Sequence, residues 1–170
     1  MPREPFLSLT LMLALLLSAP PATGSAIESF FIGTTEGAGH VDVILSGRHA
    51  MRDHGRDHGR GRIDGEGALV LDQIVEEQGK PARRRTWRLV RTGGNRIAGT
   101  ISDARGPVAG ELTATSLHLR YKLKEGPSVE QWITLQPGGR TASNRMIFRR
   151  FGLKVATVES EINKVEKARD

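Results

Sequence analysis

Apolar and polar residues alternate in short runs along much of the chain, and this period of two constrains the fold more than any other feature. In residues 117–123, Leu117 and every second residue after it are apolar or aromatic, and the residues between them are His118, Arg120 and Lys122. Side chains of a β-strand point alternately to opposite faces, so such runs predict strands. The predicted strands are residues 40–46, 67–75, 86–90, 96–102, 117–123, 129–135, 145–151 and 153–157.

Segments that contain glycine or proline separate these runs and predict hairpin turns. They read IDGEG, EEQGKP, RTGGN, DARGP, KEGP and QPGGR. About eight antiparallel strands joined by hairpins indicate an all-β fold, either a sandwich or a closed up-and-down barrel. A closed barrel has no free strand edge, and about eight strands leave room for one small ligand.

The C-terminal residues change their period. Val155, Val158, Ile162 and Val165 are spaced three, four and three residues apart, which is typical of one face of a helix. Cations follow near the end of the chain, where the helix dipole favours them. We therefore predict a short C-terminal helix packed on the barrel, with a last strand that continues through residue 159 as the alternative.

The N-terminal residues have the pattern of a secretory signal peptide. An apolar run at residues 6–19 ends at two prolines, and the small residues Gly24 and Ala26 follow. We predict a cleaved signal peptide at residues 1–26, cut after Gly24 or Ala26, and a single barrel domain at residues 27–170. The alternative is a membrane anchor, for which the run is short, because a spanning helix needs about 20 residues.

The chain contains no cysteine. An exported domain of this sequence therefore forms no disulfide and has no thiol for lipid attachment, so an ordinary core must stabilise it. These features predict a periplasmic or secreted protein, and we expect it to be a monomer.

The formal net charge of +6 raises the question of an anionic partner. Export argues against nucleic acid and favours contact with an anionic membrane surface. The arginine-rich segment PARRRTWR, at residues 81–88, is the densest basic stretch and is the candidate for this contact. A solvated basic surface without a partner is the alternative.

Motifs for catalysis are missing from the sequence. It has no Gly-x-Ser-x-Gly elbow, no His-Glu-x-x-His, no phosphate-binding Gly-x4-Gly-Lys and no cysteine nucleophile. We therefore predict that the protein is not an enzyme, and we predict no cofactor.

Several polar or aromatic residues share a strand face with apolar residues. In a barrel they would point inward and offer polar groups to a ligand with an apolar body and a polar head. Arg85 has the geometry to hold a carboxylate or phosphate. The predicted ligand-binding residues are Gln73, Arg85, Trp87, Asp103, Tyr121 and Gln131. As alternatives, since buried polar groups normally satisfy one another, Arg85 and Asp103 form an internal ion pair, Gln73 and Gln131 cap strand ends, and Trp87 and Trp132 belong to the core.

The segment RDHGRDHGRGR repeats one tetrapeptide and sets His54 and His58 four residues apart. Imidazole and carboxylate groups suit zinc, copper or nickel. However, arginines surround these groups, and their charge repels a divalent cation. The glycines favour a mobile hairpin, so we interpret the repeat as a duplicated loop segment and predict no metal site.

Seven segments occur in a characteristic order along the chain: FFIGTTEGAG, LVLDQ, RRRTWRL, GTISDARGPVAG, LHLRYKL, EQWITLQPGGRTASNRM and RRFGLKVATVE. With these segments, residues 29–164 resemble a family of bacterial envelope proteins of unknown function that is regarded as lipocalin-like and contains many lipoproteins. The sequence lacks the lipidation cysteine of many members and the Gly-x-Trp signature of true lipocalins. The resemblance implies a calycin-type barrel and an envelope location, but no specific activity.

Together these features predict an exported lipocalin-like barrel that binds or carries a lipophilic molecule such as a fatty acid in the envelope. A structural or stress-related envelope protein with a filled barrel is the alternative, and a lipid-modifying enzyme is the third candidate.

Overall fold

Ten antiparallel strands and one short helix form the part of the chain that the structure describes. The computed structural model describes residues 24–45 and 48–165, with the backbone alone for residues 45 and 48–53. The elements are α1 (Ala26–Phe31), β1 (Gly33–Leu45), β2 (Arg48–Ile63), β3 (Leu69–Glu77), β4 (Arg83–Gly93), β5 (Arg96–Ile101), β6 (Val108–Leu112), β7 (Ser116–Lys122), β8 (Ser128–Leu135), β9 (Thr141–Arg150) and β10 (Leu153–Val165).

The strands follow one another around a closed barrel in chain order, and β1 pairs with both β2 and β10 to close it. This arrangement confirms the predicted all-β antiparallel barrel and excludes the sandwich. The predicted number of about eight strands is wrong. The two additional strands are β2, which contains the RDHG repeat, and the short β6.

The predicted C-terminal helix is also wrong. Residues 153–165 form β10, which is hydrogen-bonded to β9 on one side and to β1 on the other. A register shift between Lys154 and Ala156 accounts for the step of three from Val155 to Val158, whereas Val165 lies on the exposed face of the strand. Residues 156–163 pair on both sides, which satisfies their backbone groups, and a helix here would leave β1 and β9 with open edges.

Helix α1 closes one end of the barrel. Ser25 begins it with a capping box, in which Ser25 and Glu28 each bond the backbone of the other. Ile27, Phe30 and Phe31 are buried in the core. Lys164 of β10 donates to the carbonyl oxygens of Ser29 and Phe30, both at 2.9 Å, and to that of Ile32. It thereby satisfies the carbonyls that the end of a helix leaves unpaired.

The predicted signal peptide lies outside the described residues except for residues 24–26. Within the described part of the chain, no helix has both the length and the apolar character to cross a bilayer. The capping box gives Ser25 a structural role in α1. Cleavage after Ala26 would remove this residue, and cleavage after Gly24 would retain it.

Candidate functional site

A cavity of about 140 Å³ lies inside the barrel. Its wall is mainly apolar, with Leu71, Trp87 and Leu119 among its residues, and Phe31 of α1 lies at its closed end. A more open recess of about 610 Å³ adjoins it and shares His40, Arg56 and other residues with it. The cavity is therefore closed by the helix at one end and accessible from the other, which we call the open end.

Glycines on β1 and β2 form one wall of this cavity. Gly39 and Gly55 lie opposite each other and line it, and a Cβ on Gly39 would collide with the backbone carbonyl of Glu159 on β10. A Cβ on Gly37 would collide with the carboxylate of Asp57. A Cβ on Gly59 would lie 2.7 Å from Thr35 Oγ1. This wall of the barrel consequently has few inward side chains, and Asp57 is the inward-facing side chain of the RDHG repeat that lines the cavity.

Asp57 belongs to the RDHG repeat, so the predicted loop is in fact a strand. From residue 55 onward, glycine or Asp57 alternates with Arg56, His58 and Arg60, and the small residues face the interior. This alternation is the sequence signal for a strand. It did not lead to the prediction of a strand because the inward residues are glycine and aspartate, which are depleted in strands.

Burial raises the pKa of Asp57 above its ordinary value, and the Gln73 side chain together with the nearby His58 and Arg85 only partly offsets this effect. Gln73 in turn accepts a hydrogen bond from Trp87 Nε1 at 3.1 Å. One side of the cavity therefore holds a carboxyl group whose charged form is disfavoured, and this group lies next to an amide.

Arg85 is already engaged by a carboxylate. Its Nε and Nη2 atoms lie 2.9 and 2.7 Å from Asp103 Oδ2, and its guanidinium lies 5.7 Å from the centre of the Trp87 ring. The other oxygen, Asp103 Oδ1, is buried and has no hydrogen-bond partner among the described residues. The ion pair that we considered as an alternative is present, and it leaves one acceptor unsatisfied.

A second set of polar groups crosses the opposite wall, and we call it the amide row. Tyr121 Oη donates to Gln131 Oε1 at 3.1 Å, Gln131 Nε2 donates to Asn144 Oδ1 at 2.8 Å, and Asn144 Nδ2 donates to Ser160 Oγ at 2.9 Å. Burial raises the pKa of Tyr121 well above its ordinary value, so the hydroxyl keeps the proton that it donates. The row links β7 to β10 through groups that mostly satisfy one another.

The six predicted residues all face the barrel interior, but not all of them line the cavity. Gln73, Arg85, Trp87 and Gln131 do so. Asp103 acts through Arg85, and Tyr121 acts through Gln131 and an edge-on contact with Trp87. Their role as ligand contacts stays a prediction.

Several interior polar residues were missed by the sequence interpretation, among them Asp57, Asn144 and Ser160. Asn144 and Ser160 lie on inward positions of β9 and β10 and line the cavity. For Asn144, strand parity was a sufficient signal, because Ala142, Met146 and Phe148 share its face. Ser160 lies in the segment to which we assigned a helix, so its parity was hidden.

The histidines of the repeat do not converge on a metal site in the described part of the chain. His58 Nδ1 lies 3.6 Å from Glu36 Oε1 on the outer face of β1 and β2. His54 pairs with His40 across the strands, and His40 Nε2 lies 3.4 Å from Asp42 Oδ2. No group of three or more metal-ligating side chains occurs among the described residues.

The arginine-rich segment is divided between the two faces of β4. Arg85 points inward, whereas Arg88 points outward, where it lies 3.0 Å from Asp64 Oδ2 and also pairs with Glu66. Arg83 pairs with Glu77 at the open end. Much of the charge of this segment is therefore compensated by neighbouring carboxylates.

Comparison with known proteins agrees with the fold. A solved structure with a similar barrel is the S-type phycobiliprotein lyase CPES from Guillardia theta, at 9% sequence identity and a TM-score of 0.64. The match covers 84% of this chain and 92% of the lyase chain. No curated protein matches the sequence. The model of the family described as Protein of unknown function (DUF3833) matches residues 22–164, and the chain belongs to this family.

Proposed function

We propose that the protein is an exported, lipocalin-like binding protein that holds a small lipophilic molecule in the barrel. The observation that carries this proposal is the mainly apolar cavity with polar groups on two walls, closed by α1 and accessible from the open end. Such a combination is typical of small-molecule sites. The similar structure is named a phycobiliprotein lyase, and at this identity the likeness supports a shared barrel and not a shared reaction.

The size of the cavity limits which part of a ligand it takes. Its volume of about 140 Å³ is close to that of an engineered cavity of about 150 Å³ that binds benzene. The enclosed part therefore suits one ring or a short acyl segment. The remainder of a longer ligand would extend into the adjoining recess.

The charges in the cavity favour a ligand whose polar end donates hydrogen bonds. Arg85 is paired with Asp103, and the carboxyl group of Asp57 lies on the same wall. A fatty-acid carboxylate would meet the carboxyl group of Asp57 beside a guanidinium, Arg85, that is already paired, and Arg83, which also lines the cavity, is paired with Glu77. A hydroxyl, amide or amine would instead find acceptors in Asp57 and the amide row. We therefore favour a lipophilic alcohol or amide as the ligand over the fatty acid that the sequence suggested.

Trp87 provides a direct test because its ring lines the cavity. In a Trp132→Phe background, which leaves Trp87 as the remaining tryptophan, we expect 1-decanol to change the fluorescence saturably at lower concentration than decanoate at pH 8. Val158→Phe should block binding because Val158 lines the cavity, whereas Thr157→Phe on the other face should not. Thermal melts establish that both variants fold.

The opposite result would favour the filled barrel. If neither probe perturbs Trp87, and mass spectrometry of protein purified from its native envelope finds no bound molecule, the binding proposal fails. Tighter binding of decanoate than of 1-decanol would retain a binding protein but reverse the proposed preference for a donor group.

For the exported form we propose cleavage after Gly24. This choice retains Ser25, whose backbone nitrogen lies 2.7 Å from Glu28 Oε2 and whose hydroxyl caps α1. Intact-mass measurement of the protein from the envelope fraction should give a chain that begins at Ser25. A chain that begins at Ile27, or that retains residues 1–24, would contradict this.

A further inference from the structure

The hairpin between β9 and β10 has an unusual residue at its turn. Phe151 and Gly152 form the loop, with φ of 50° and 79°. Two-residue hairpin loops with both residues at positive φ favour Asn-Gly, because a left-handed backbone is costly for bulky side chains. Phe151 is the only non-glycine residue with positive φ among the described residues. Turn formation therefore does not explain why phenylalanine is here.

Exposure gives a second reason to ask what Phe151 does. Its side chain is 97% exposed and that of Leu153 is 73% exposed, so neither contributes to the core. They are the two most exposed large apolar residues in the described part of the chain. Two such residues together on a strained turn indicate a surface that contacts something else.

Cations flank these apolar residues. Residues 149–154, which we call the hairpin tip, read RRFGLK and contain three cations and no acid. Arg149 is paired with Glu130. Arg150 and Lys154 have no carboxylate partner among the described residues, and Arg150 lies against Gly126 of the neighbouring hairpin. An apolar tip flanked by available cations is complementary to an anionic surface with an apolar layer beneath it.

The hairpin tip lies at the open end of the barrel. From the tip, β10 passes Val158 and Ser160 on the cavity wall and reaches α1 at Lys164. The hairpins at the same end expose Arg105 and Lys124, whereas Lys80 is paired with Glu77, and Glu76 and Glu125 are exposed acids at this end. The route into the cavity therefore opens on the side of the molecule that carries the apolar tip and an excess of cations.

From this arrangement we infer that the hairpin tip docks the open end onto an anionic phospholipid bilayer. Phe151 and Leu153 enter the interfacial region, and Arg150 and Lys154 contact the headgroups. The cavity then faces the bilayer, so a lipophilic ligand can pass between membrane and barrel without crossing water. Ligand transfer rests on the proposed function, whereas docking does not, so the two can be tested apart.

The absence of native cysteine permits site-specific labelling of the full chain. We would attach an environment-sensitive fluorophore to L153C at the hairpin tip and, as the matched control, to I63C near α1, where Ile63 is 45% exposed. Each protein is mixed with vesicles of phosphatidylcholine alone or with an equal part of phosphatidylglycerol. No ligand is added, so the result is independent of the cavity.

We expect a blue shift for the L153C label with phosphatidylglycerol vesicles, and little change with phosphatidylcholine alone or for the I63C label. Any adsorption through residues 1–23 would not by itself insert the tip, so the difference between the labels is the informative quantity. R150Q together with K154Q should weaken vesicle binding of the labelled chain by roughly tenfold or more. F151N should abolish the blue shift while the barrel melts at the same or a higher temperature.

Three results would overturn the inference: no shift of the L153C label, an equal shift of both labels, or a shift that F151N leaves unchanged. A concentration-dependent shift of the L153C label without vesicles would instead assign the hairpin tip to self-association. If F151N loses vesicle binding but retains the Trp87 response to 1-decanol in solution, docking and ligand binding are separate properties.

Discussion

At the closed end of the barrel, α1 buries Ile27, Phe30 and Phe31, each less than 5% exposed, whereas the open end leaves Phe151 almost fully in solvent. Charges differ in the same way. Glu28 at the closed end binds Arg91 through two oxygens, at 2.6 and 3.1 Å, but Arg150 at the open end has no acidic partner among the described residues. The closed end therefore contributes to the core, whereas the hairpin tip leaves apolar side chains and two cations exposed.

Truncation of Phe31 should show the largest difference between the two ends. Phe31 is 4% exposed and packs edge-on against Phe30, with ring centroids 5.1 Å apart. We expect Phe31→Ala to lower the free energy of unfolding by about 3–5 kcal/mol, because it leaves a void in the core. Urea denaturation followed by circular dichroism measures this. Phe151→Ala should change stability by less than about 0.5 kcal/mol, and equal losses would refute the comparison.

Removal of the Lys164 ammonium tests how α1 is held. Lys164→Met leaves the carbonyls of Ser29, Phe30 and Ile32 without their donor. We expect a loss of about 1–2 kcal/mol and faster hydrogen exchange in α1 than in the strands. Lys154→Met at the open end serves as the control and should have almost no effect. Unchanged protection of α1 would mean that packing alone holds the helix.

Phe151→Asn should stabilise the protein. Asparagine tolerates the left-handed backbone of the turn better than phenylalanine, so we expect a gain of up to about 1 kcal/mol. Phe151→Ala keeps the backbone strain and should give no such gain. Thermal denaturation of the two variants side by side distinguishes them. If asparagine is no better than alanine, the turn is not strained, and one reason for assigning a function to Phe151 disappears.

The contribution of Glu28 at the closed end to the free energy of unfolding should depend weakly on pH and decrease at low pH. Burial raises the pKa of Glu28, but hydrogen bonds from Arg91 and Ser25 and the charge of Arg91 outweigh this, so the pKa is lowered overall. A carboxyl group whose pKa is lowered in the folded state stabilises the fold at pH values above its ordinary pKa of 4.5. This contribution is lost as the pH falls through the folded-state pKa. Glu28→Gln should therefore cost about 0.5–1 kcal/mol at pH 7.

Below pH 4 the difference between wild type and Glu28→Gln should shrink, as measured by urea denaturation at several pH values. Glu125→Gln at the open end is the control, since Glu125 is exposed and has no ion pair among the described residues. A difference that stays constant down to pH 3 would show that the carboxylate charge of Glu28 does not contribute.

The predictability of each strand depended on which residues face inward. β7 alternates leucine and tyrosine with charged residues, and its burial follows that alternation. In β2 the interior positions are Gly55, Asp57, Gly59 and Gly61, so the same period carries no apolar signal. The inward direction of Arg85 and Gln131 followed from parity along their strands. The Arg85–Asp103 pair was one of the sequence-based alternatives, but the partners of Gln131 were not predicted, because the register between neighbouring strands decides which side chains meet.

Sequence by itself determined that this chain forms antiparallel strands joined by tight turns, since period-two alternation and glycine placement are local properties. Only the tertiary structure decided that residues 153–165 form a strand, because the free edges of β1 and β9 exist only in the assembled sheet. It also decided that an apparently loop-like repeat supplies a glycine-rich wall and the partly buried Asp57 of the cavity. Closure of the barrel pairs β1 with β10, which come from opposite ends of the sequence, and no local sequence pattern indicates that these two strands are neighbours.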